Sequence, residues 1–403
     1  MIRIDSATHA KTIETATALR RELHARPELT WQERSTADRI ERQLRAIPGL
    51  AVRRMGETGV VAVLAGGAPG HRVVALRADM DALPITEKTG APWTSQNAGV
   101  MHACGHDGHM AVLMGAVEIL AARRSELPGK VVAIFQPAEE GGAGADVLCK
   151  AGVLDDPKVD AIFGLHGWPE APLGSIQVRS GPVLASTSEI RIRITGRGTH
   201  AAFPHRGTDQ VLVAARVVEA LQSIRSREID PLEPLVLTIG MIHGGNAINV
   251  IPDTVELGGT LRTLDMSVRD HCAKRIHEIV TATAAAHRAS ADVTVRHNYP
   301  VTKNDPKAAA FVRKVATDLL GVERVQEMPR PAMGGEDFAF YLERIPGAFF
   351  MLGMGGEFPL HHPQYDFNDA ALGTGISTFV NLADEFLRNG FGTLNSSGHE
   401  LVR

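Results

Sequence analysis

The chain has 403 residues, 44% of them hydrophobic, and this length predicts more than one domain. Its 42 basic and 46 acidic residues give a net charge of -4, so no charge excess points to nucleic acid or an anionic membrane as a partner. No apolar run is long enough for a membrane span, and the polar stretch Met1–Glu14 contains no apolar core of an export signal. Three cysteines cannot form a disulfide framework, so we expect a cytoplasmic protein.

The first part of the chain alternates predicted helices and strands. The helices are Ala10–Leu23, Ser35–Ile47, Gly105–Arg124 and Gly144–Ala151, and the strands are Val60–Leu64, Arg72–Ala78, Lys130–Phe135 and Val159–Leu165. Such alternation is typical of a largely parallel sheet with helices on both faces.

Near Leu184 the pattern changes. The predicted strands Glu189–Thr195, Leu235–Ile242, Thr254–Leu264 and Asp292–His297 are interrupted by the predicted helices Asp209–Arg225 and Met266–His287. This order, β-α-β-β-α-β, is that of the ferredoxin-like unit. The α/β pattern then resumes with a strand at Ala348–Leu352 and a helix at Ala370–Leu387. We therefore predict an α/β domain formed by residues 1–183 and 296–403, with an inserted ferredoxin-like α+β domain at 184–295.

A cysteine and several histidines precede one predicted helix, in Met101-His-Ala-Cys-Gly-His-Asp-Gly-His109. Cys104 and His106 both offer metal-binding atoms, and a thiolate can bridge two ions. The alternative is a buried free cysteine among solvated histidines. The number of histidines in this short segment favours the metal ligands.

Two adjacent carboxylates follow a predicted strand directly, in Gln136-Pro-Ala-Glu-Glu140. The carboxyl ends of parallel strands are where α/β proteins collect functional groups. One of these carboxylates could bind metal while the other transfers protons. An ordinary exposed acidic pair is the alternative, and the position at a strand end weighs against it.

Two further segments place histidines in similar positions. His166 lies at the end of an apolar strand, in Gly164-Leu-His166-Gly-Trp-Pro169, and a lone histidine there is more often structural than a ligand. In Pro359-Leu-His361-His362-Pro363, spacing alone does not choose between the two histidines. Together, four loops of one α/β domain supply cysteine, glutamate and histidine in metal-ligand combinations.

Eight motifs, spread over nearly the whole chain, resemble those of a known family. The sequence is similar to the metal-dependent aminoacylase and carboxypeptidase-G superfamily, in the branch of hippurate hydrolase and plant indole-acetyl-amino-acid hydrolases. The motifs are Leu23-His-Ala-Arg-Pro-Glu28, Arg77-Ala-Asp-Met-Asp-Ala-Leu-Pro84, His102-Ala-Cys-Gly-His-Asp107, Gln136-Pro-Ala-Glu-Glu140, Gly198-Thr-His-Ala-Ala202, Asn249-Val-Ile-Pro252, Gly335-Glu-Asp-Phe338 and Leu360-His-His-Pro363.

The resemblance implies a dinuclear metal site in the α/β catalytic domain. Cys104 would bridge the two ions. His106 and His166 would bind one ion, and Glu140 and His361 would bind the other. His361 is preferred to His362 because the family's ligand directly follows the leucine.

The resemblance also implies roles for three acidic residues beside this site. Glu139 would be the general base that takes a proton from water and returns one to the departing amine. The superfamily has a His-x-Asp motif after one strand, and here Asp79 occupies the histidine position while Asp81 matches the aspartate. Both aspartates would orient the metal ligands without binding the ions.

In the inserted domain, the resemblance implies groups that contact the substrate. His200 would stabilise the oxyanion, and Asn249 and Arg262 would hold the substrate carboxylate, Arg262 through a bidentate fork. In relatives this domain is a lid and makes the dimer contact, so a homodimer or homotetramer is expected. His200 or Asn249 could act within one subunit or across that contact.

The resemblance implies that the protein is a metal-dependent amidohydrolase that cleaves N-acyl amino acids. Hippurate-type compounds are the first substrates to expect. The alternatives are a small-peptide exopeptidase, an N-acetyl-diaminopimelate-type deacetylase, and a catalytically silent binding scaffold. The complete ligand set and the intact Glu139–Glu140 pair weigh against the silent scaffold. Zinc or manganese is the expected metal, and nickel or cobalt would also suit a carboxylate-containing site. The partner is a small-molecule substrate, with no nucleic acid and no membrane.

Overall fold

The computed structural model describes residues 9–392. Residues 1–8, which form part of the stretch read for an export signal, and residues 393–403 lie outside the described residues. The helices of the described part are α1 (Ala10–His24), α2 (Arg34–Arg45), α3 (His106–Ala122), α4 (Gly144–Lys150), α5 (Gln210–Ser223), α6 (Met266–Ala286), α7 (Pro306–Leu320), α8 (Ala339–Leu342) and α9 (Leu372–Asn389). One π-helical turn, Ile224–Glu228, continues α5.

The strands of the described part are β1 (Leu50–Met55), β2 (Gly59–Ala65), β3 (Ala68–Asp79), β4 (Pro128–Gln136), β5 (Ala161–Trp168), β6 (Ile176–Val178), β7 (Gly181–Leu184), β8 (Ser186–Thr195), β9 (Thr199–His200), β10 (Leu235–His243), β11 (Val250–Ile251), β12 (Thr254–Thr263), β13 (Ser290–Tyr299), β14 (Thr302–Asn304), β15 (Val325–Glu327) and β16 (Gly347–Gly353).

The chain divides into two compact units. The first unit takes the described residues within Met1–Val183, Lys303–Arg330 and Asp337–Arg403, and the second takes Leu184–Thr302 and Pro331–Glu336. The second unit begins at Leu184. It extends beyond residue 295 because β13 runs to Tyr299, and it includes a short return of the chain at 331–336.

An eight-stranded sheet forms the centre of the first unit, in the order β1-β2-β4-β3-β5-β16-β6-β15. The four central strands β4, β3, β5 and β16 are mutually parallel, whereas β1 and β2 are antiparallel additions at one side and β6 is antiparallel to β16. The predicted α/β class with a parallel-rich sheet is confirmed. The antiparallel β1 and β6 and the helix α7 were not predicted.

Burial of the central strands explains their continuous apolar sequences. Every residue of β16 is buried, as are the last seven of β3, because helices cover this part of the sheet. The helices α3 and α9 pack against β3, and α7 packs against β16. The carboxyl ends of β3, β4, β5 and β16 lie at one edge of the sheet, where the loops that follow them can meet.

In the second unit, an antiparallel sheet has the order β10-β12-β8-β13. Its core is formed by alternate residues of β8, including Ile190 and Ile192, with Val217 of α5 and Ile276 of α6. Asp209 and Asp265 cap the two helices by accepting hydrogen bonds from backbone N–H groups of their first turns. The short strands β9 and β11 form a separate two-stranded ribbon.

Candidate metal centre

The predicted ligands of the first unit meet around the thiol of Cys104. Its Sγ lies 3.4 Å from Nε2 of His166 and 3.3 Å from Nε2 of His361. Among the described residues, two of the groups whose ligand atoms all lie within 4.8 Å of one another contain Cys104: Cys104 with His106 and His166, and Cys104 with Glu140 and His361. Because Cys104 belongs to both groups, the arrangement could hold two ions with the sulfur between them.

Backbone carbonyls orient two of these histidines. Nδ1 of His106 donates to the carbonyl oxygen of Asp81 at 2.8 Å, and Nδ1 of His166 donates to that of Gly167 at 2.8 Å. In the neutral form of each ring, Nδ1 therefore carries the proton and Nε2 is left as the atom that can bind a metal ion. Nε2 of His106 is buried and has no hydrogen-bond partner among the described residues, so a metal ion would satisfy it.

The charge of this cluster also fits a cation. Burial raises the pKa of the Cys104 thiol well above its usual value, and the carboxylates of Glu140 and Glu139 raise it further. Although burial opposes protonation of His106, the carboxylates of Asp79 and Asp81 raise its pKa to about 10. A divalent ion would offset this negative charge and would favour the thiolate.

The turn that carries Glu139 and Glu140 follows β4 and is held by carboxylates. The N–H groups of Glu139 and Glu140 donate to the two oxygens of Asp81, each at 2.9 Å, and the N–H of Ala138 donates to Glu33 Oε1 at 2.9 Å. Oε1 of Glu139 accepts from the Asp337 N–H at 3.4 Å. Glu139 is only 6% exposed.

A second buried network surrounds Asp79, the last residue of β3. Its carboxylate accepts from His109 Nδ1 at 2.7 Å and from Arg77 at 2.6 Å. Burial opposes its ionisation, but the charges of His106 and Arg77 outweigh that effect and hold the pKa of Asp79 well below its usual value. His109 in turn accepts from the Gly167 N–H at 2.8 Å, which links Asp79 to the segment that carries His166.

Four groups of this centre were not singled out from the sequence: Glu33, Arg77, His109 and Asp337. Arg77, His109 and Asp337 lie in segments that were quoted as motifs or as the histidine cluster, so their positions carried a signal. Glu33 lies between two predicted helices, outside every quoted motif. Nothing in its local sequence indicates a link to residue 138.

In the second unit, His200 and Asn249 lie together on the exposed ribbon. His200 pairs with Val250, and the Ala201 N–H donates to the Asn249 carbonyl oxygen at 2.9 Å. Nδ1 of His200 accepts from the Ala202 N–H at 3.1 Å. Arg262 lies elsewhere in this unit, on β12 opposite Thr187.

A family model matches residues 75–385, most of the chain, and its description is "Peptidase family M20/M25/M40". This chain belongs to that family. Residues 75–385 include every residue named above for the candidate metal centre and the ribbon except Glu33.

The M20 chain is similar over most of its length to proteins with recorded activities. It is 41% identical over 356 residues to an N-acetyl-L-cysteine deacetylase of Bacillus subtilis, covering 88% of this chain and 84% of that one. It is 40% identical over 396 residues to the Arabidopsis thaliana IAA-amino acid hydrolase ILR1-like 2, covering 96% and 88%. A solved structure of a Bacillus subtilis protein, described as a dinuclear metal binding peptidase from the M20 family, superposes with a TM-score of 0.82 at 35% identity, over 94% of this chain and 99% of that one.

These relatives establish the class of enzyme. The M20 protein is a hydrolase of amide bonds, as its family and its named relatives are. Within residues 9–392, no helix combines the length and the apolar character that crossing a membrane requires.

Proposed function

We propose that this M20 enzyme uses two divalent metal ions to hydrolyse N-acyl amino acids to a carboxylic acid and a free amino acid. The relatives named above support the substrate class, because N-acetyl-cysteine and an IAA-amino acid conjugate are both amides of an amino acid. Hippurate-type aroyl-glycines are the first choice of substrate.

The observation that carries this proposal is the position of the Cys104 sulfur, about equally far from His166 and His361. We assign Cys104 as the bridging ligand, His106 and His166 to one ion, and Glu140 and His361 to the other. Thiolate and imidazole ligands suit zinc, and the carboxylate also admits manganese, nickel or cobalt. When bound, the ions polarise the amide carbonyl and make the attacking water more acidic.

Glu139 performs the proton transfers in this proposal. Its carboxylate belongs to a group with His106 and Glu140 whose ligand atoms lie within 4.8 Å of one another, which places it beside the assigned ligands. In this proposal Glu139 itself binds neither ion. It takes a proton from the attacking water, and the new C–O bond forms as the amide π electrons move to the carbonyl oxygen. Glu139 then delivers the proton to the amide nitrogen, so that the C–N bond breaks and the amine departs.

The second unit supplies substrate contacts in this proposal. His200 donates to the developing oxyanion, and Asn249 and Arg262 hold the carboxylate of the amino acid. Burial lowers the pKa of Arg262, so its guanidinium gains from pairing with an anion.

The second unit is proposed to be a ferredoxin-like lid that also makes the contact of a homodimer or homotetramer. Its chain order β8-α5-β10-β12-α6-β13 and its sheet order support the ferredoxin-like description. Sedimentation measurements would establish the oligomer.

A substrate panel tests the proposed function. The enzyme is reconstituted with zinc or manganese and assayed against benzoyl-, acetyl- and indole-acetyl-amino acids, with dipeptides as the comparison. We expect turnover of N-acyl amino acids, fastest with benzoyl-glycine, and weak turnover of dipeptides. Preference for dipeptides would replace the proposal with an exopeptidase.

A further inference from the structure

The backbone N–H groups of three consecutive residues, Ala138, Glu139 and Glu140, donate to buried carboxylates. Asp81 accepts from Glu139 and Glu140, whereas Glu33 accepts from Ala138. Asp81 lies two residues beyond the end of β3, next to the candidate metal centre. Glu33 comes from the loop between α1 and α2, 105 residues from Ala138 in the chain.

Glu33 is completely buried, and its carboxylate accepts three hydrogen bonds. Its Oε1 accepts from the N–H groups of Ala138 at 2.9 Å and Trp31 at 3.0 Å, and its Oε2 accepts from the Thr58 hydroxyl at 2.8 Å. All three donors are uncharged, so burying a carboxylate here brings no ion pair with them. Burying a carboxyl group without a charged partner costs free energy, and the three hydrogen bonds offset that cost.

Both backbone amides held by Glu33 belong to residues with a left-handed backbone. Trp31 has a φ of 64° and Ala138 a φ of 56°, and neither is glycine. A side chain with a Cβ adopts this region at a cost, so surrounding contacts must hold it there. One carboxylate oxygen fixes both residues.

The conformation of Ala138 determines where the next two side chains point. Ala138 is the residue directly before Glu139, and a change of its φ would rotate everything that follows in the turn. Thr30, from the same loop as Glu33, adds a contact, because its hydroxyl donates to Asp81 Oδ2 at 2.8 Å and lies 3.2 Å from the Glu140 carbonyl oxygen.

From this geometry we propose that Glu33 is a positioning residue for the reaction. Its carboxylate holds Ala138 in the left-handed conformation and thereby aims Glu139 at the substrate. This inference rests on the proposed role of Glu139 as general base, although the conformational part can be measured without catalysis.

The test first removes the hydrogen-bond acceptor at residue 33 and then replaces Ala138 by a residue that adopts a positive φ without that acceptor. Glu33→Gln keeps a carbonyl oxygen for both amides, and its NH2 group can donate to Thr58, whereas Glu33→Met has a similar length without an acceptor. We expect Glu33→Gln to stay close to the parent enzyme. Glu33→Met should lose kcat by roughly 10- to 100-fold with little change in KM, because the base is displaced while substrate contacts remain.

The second substitution is Ala138→Gly, because glycine adopts a φ near 56° without the penalty of a Cβ. The loss caused by Glu33→Met should be at least several-fold smaller in the Ala138→Gly background than in the parent. A purely structural defect at Glu33 would not depend on residue 138. Equal losses in both backgrounds, or an undiminished kcat in folded Glu33→Met, would overturn the proposal.

Hydrogen exchange gives a readout independent of activity. In the metal-free protein, Glu33→Met should speed exchange of the peptide containing residues 134–142, and Glu33→Gln should do so much less. Unchanged exchange in Glu33→Met would also overturn the proposal. If Glu33→Met does not fold, Ala138→Val tests the same conformation with Glu33 intact, because a β-branched residue disfavours positive φ, and an unchanged kcat would reject the idea.

Failure of this inference is distinguishable from failure of the proposed function. If Glu139→Gln keeps full activity, Glu139 is not the base and the proposed mechanism fails, whatever residue 33 does. If Glu139→Gln abolishes turnover but the substitutions at residues 33 and 138 act independently, only the positioning role of Glu33 is rejected.

Discussion

The predicted site residues of the first unit are mostly buried, whereas two of those in the second unit are exposed. Cys104 is 7% exposed, His166 8% and Glu139 6%, and each is tied to several buried groups. His200 and Asn249 are exposed, and among the predicted site residues of the first unit only His361 has a side chain exposed to a similar degree, at 51%. The first unit therefore pre-organises its chemistry, and the exposed groups of the second can be changed with little effect on folding.

The largest expected effect is at the sulfur. Cys104→Ala should lose most of the bound metal and essentially all amidase activity, because both ligand groups share this atom. Metal content by elemental analysis and activity on the best substrate are the measurements. Cys149→Ala is the matched control, since Cys149 is also a buried free cysteine and should keep both metals. Two metals and full activity in Cys104→Ala would reject the bridging assignment.

The adjacent carboxylates should separate into two roles. Glu139→Gln should keep both metals and lose kcat by roughly two to four orders of magnitude, because the general base is missing. Glu140→Gln should instead weaken metal binding, and activity should return at high metal concentration. A metal titration of both variants decides the matter, and equal metal loss in the two would contradict the division.

His200 tests whether an exposed residue can contribute to catalysis. His200→Ala should lower kcat by roughly 100- to 1,000-fold, with a smaller change in KM, as expected for a donor that acts in the transition state. Its unfolding temperature should match that of the parent because the side chain is exposed. An unchanged kcat would show that the oxyanion is stabilised entirely elsewhere.

Arg262 should act on binding more than on turnover. Arg262→Ala should raise KM by roughly 10- to 100-fold for a substrate with a free carboxylate, the equivalent of losing charged hydrogen bonds. The amide-capped analogue of the same substrate should be much less affected. Arg193→Ala, at an exposed arginine of the neighbouring β8, is the control and should leave KM unchanged. Equal penalties for both substrates would mean that recognition depends mainly on the acyl group.

The smallest expected effect is the loss of a helix cap, which should change stability without changing metal binding. Asp265 accepts a hydrogen bond from the Ser267 N–H at 2.8 Å at the start of α6, and Asp305 accepts one from the Lys307 N–H at 2.8 Å at the start of α7. Replacing either aspartate by alanine should lower the free energy of unfolding by about 1 kcal/mol. Denaturant unfolding measures this change. Loss of metal affinity in Asp265→Ala would contradict the assignment of all metal ligands to the first unit.

Apolar periodicity was enough to predict most of the regular structure. The predicted helix Met266–His287 corresponds to Met266–Ala286, and the predicted strand Lys130–Phe135 lies within Pro128–Gln136. Buried central strands have continuous apolar sequences, which are easy to recognise. The strand Leu50–Met55 was missed because it lies at the edge of the sheet and is rich in arginine, so its sequence has no such signal.

The helix Pro306–Leu320 was missed although its sequence contained a start signal. Asp305 caps it and Pro306 occupies its first turn, the combination that favours a helix start. The pair Asp305–Pro306 is a local signal that predicts the start of this helix without any tertiary information.

The residue types at the candidate metal centre were evident from the sequence, because cysteine, histidine and glutamate, which can bind metal ions, follow predicted strands or precede a predicted helix. Only the tertiary structure decided which atoms meet. It places His361 Nε2 beside Cys104, 257 residues away, whereas the ring of His362 stacks on Phe358. Spacing could not distinguish these neighbours, since the left-handed φ of 62° at His361 sets the direction of its side chain. Likewise, the bond from Ala138 to Glu33 joins two loops far apart in sequence, and such pairs follow from packing, which no local pattern records.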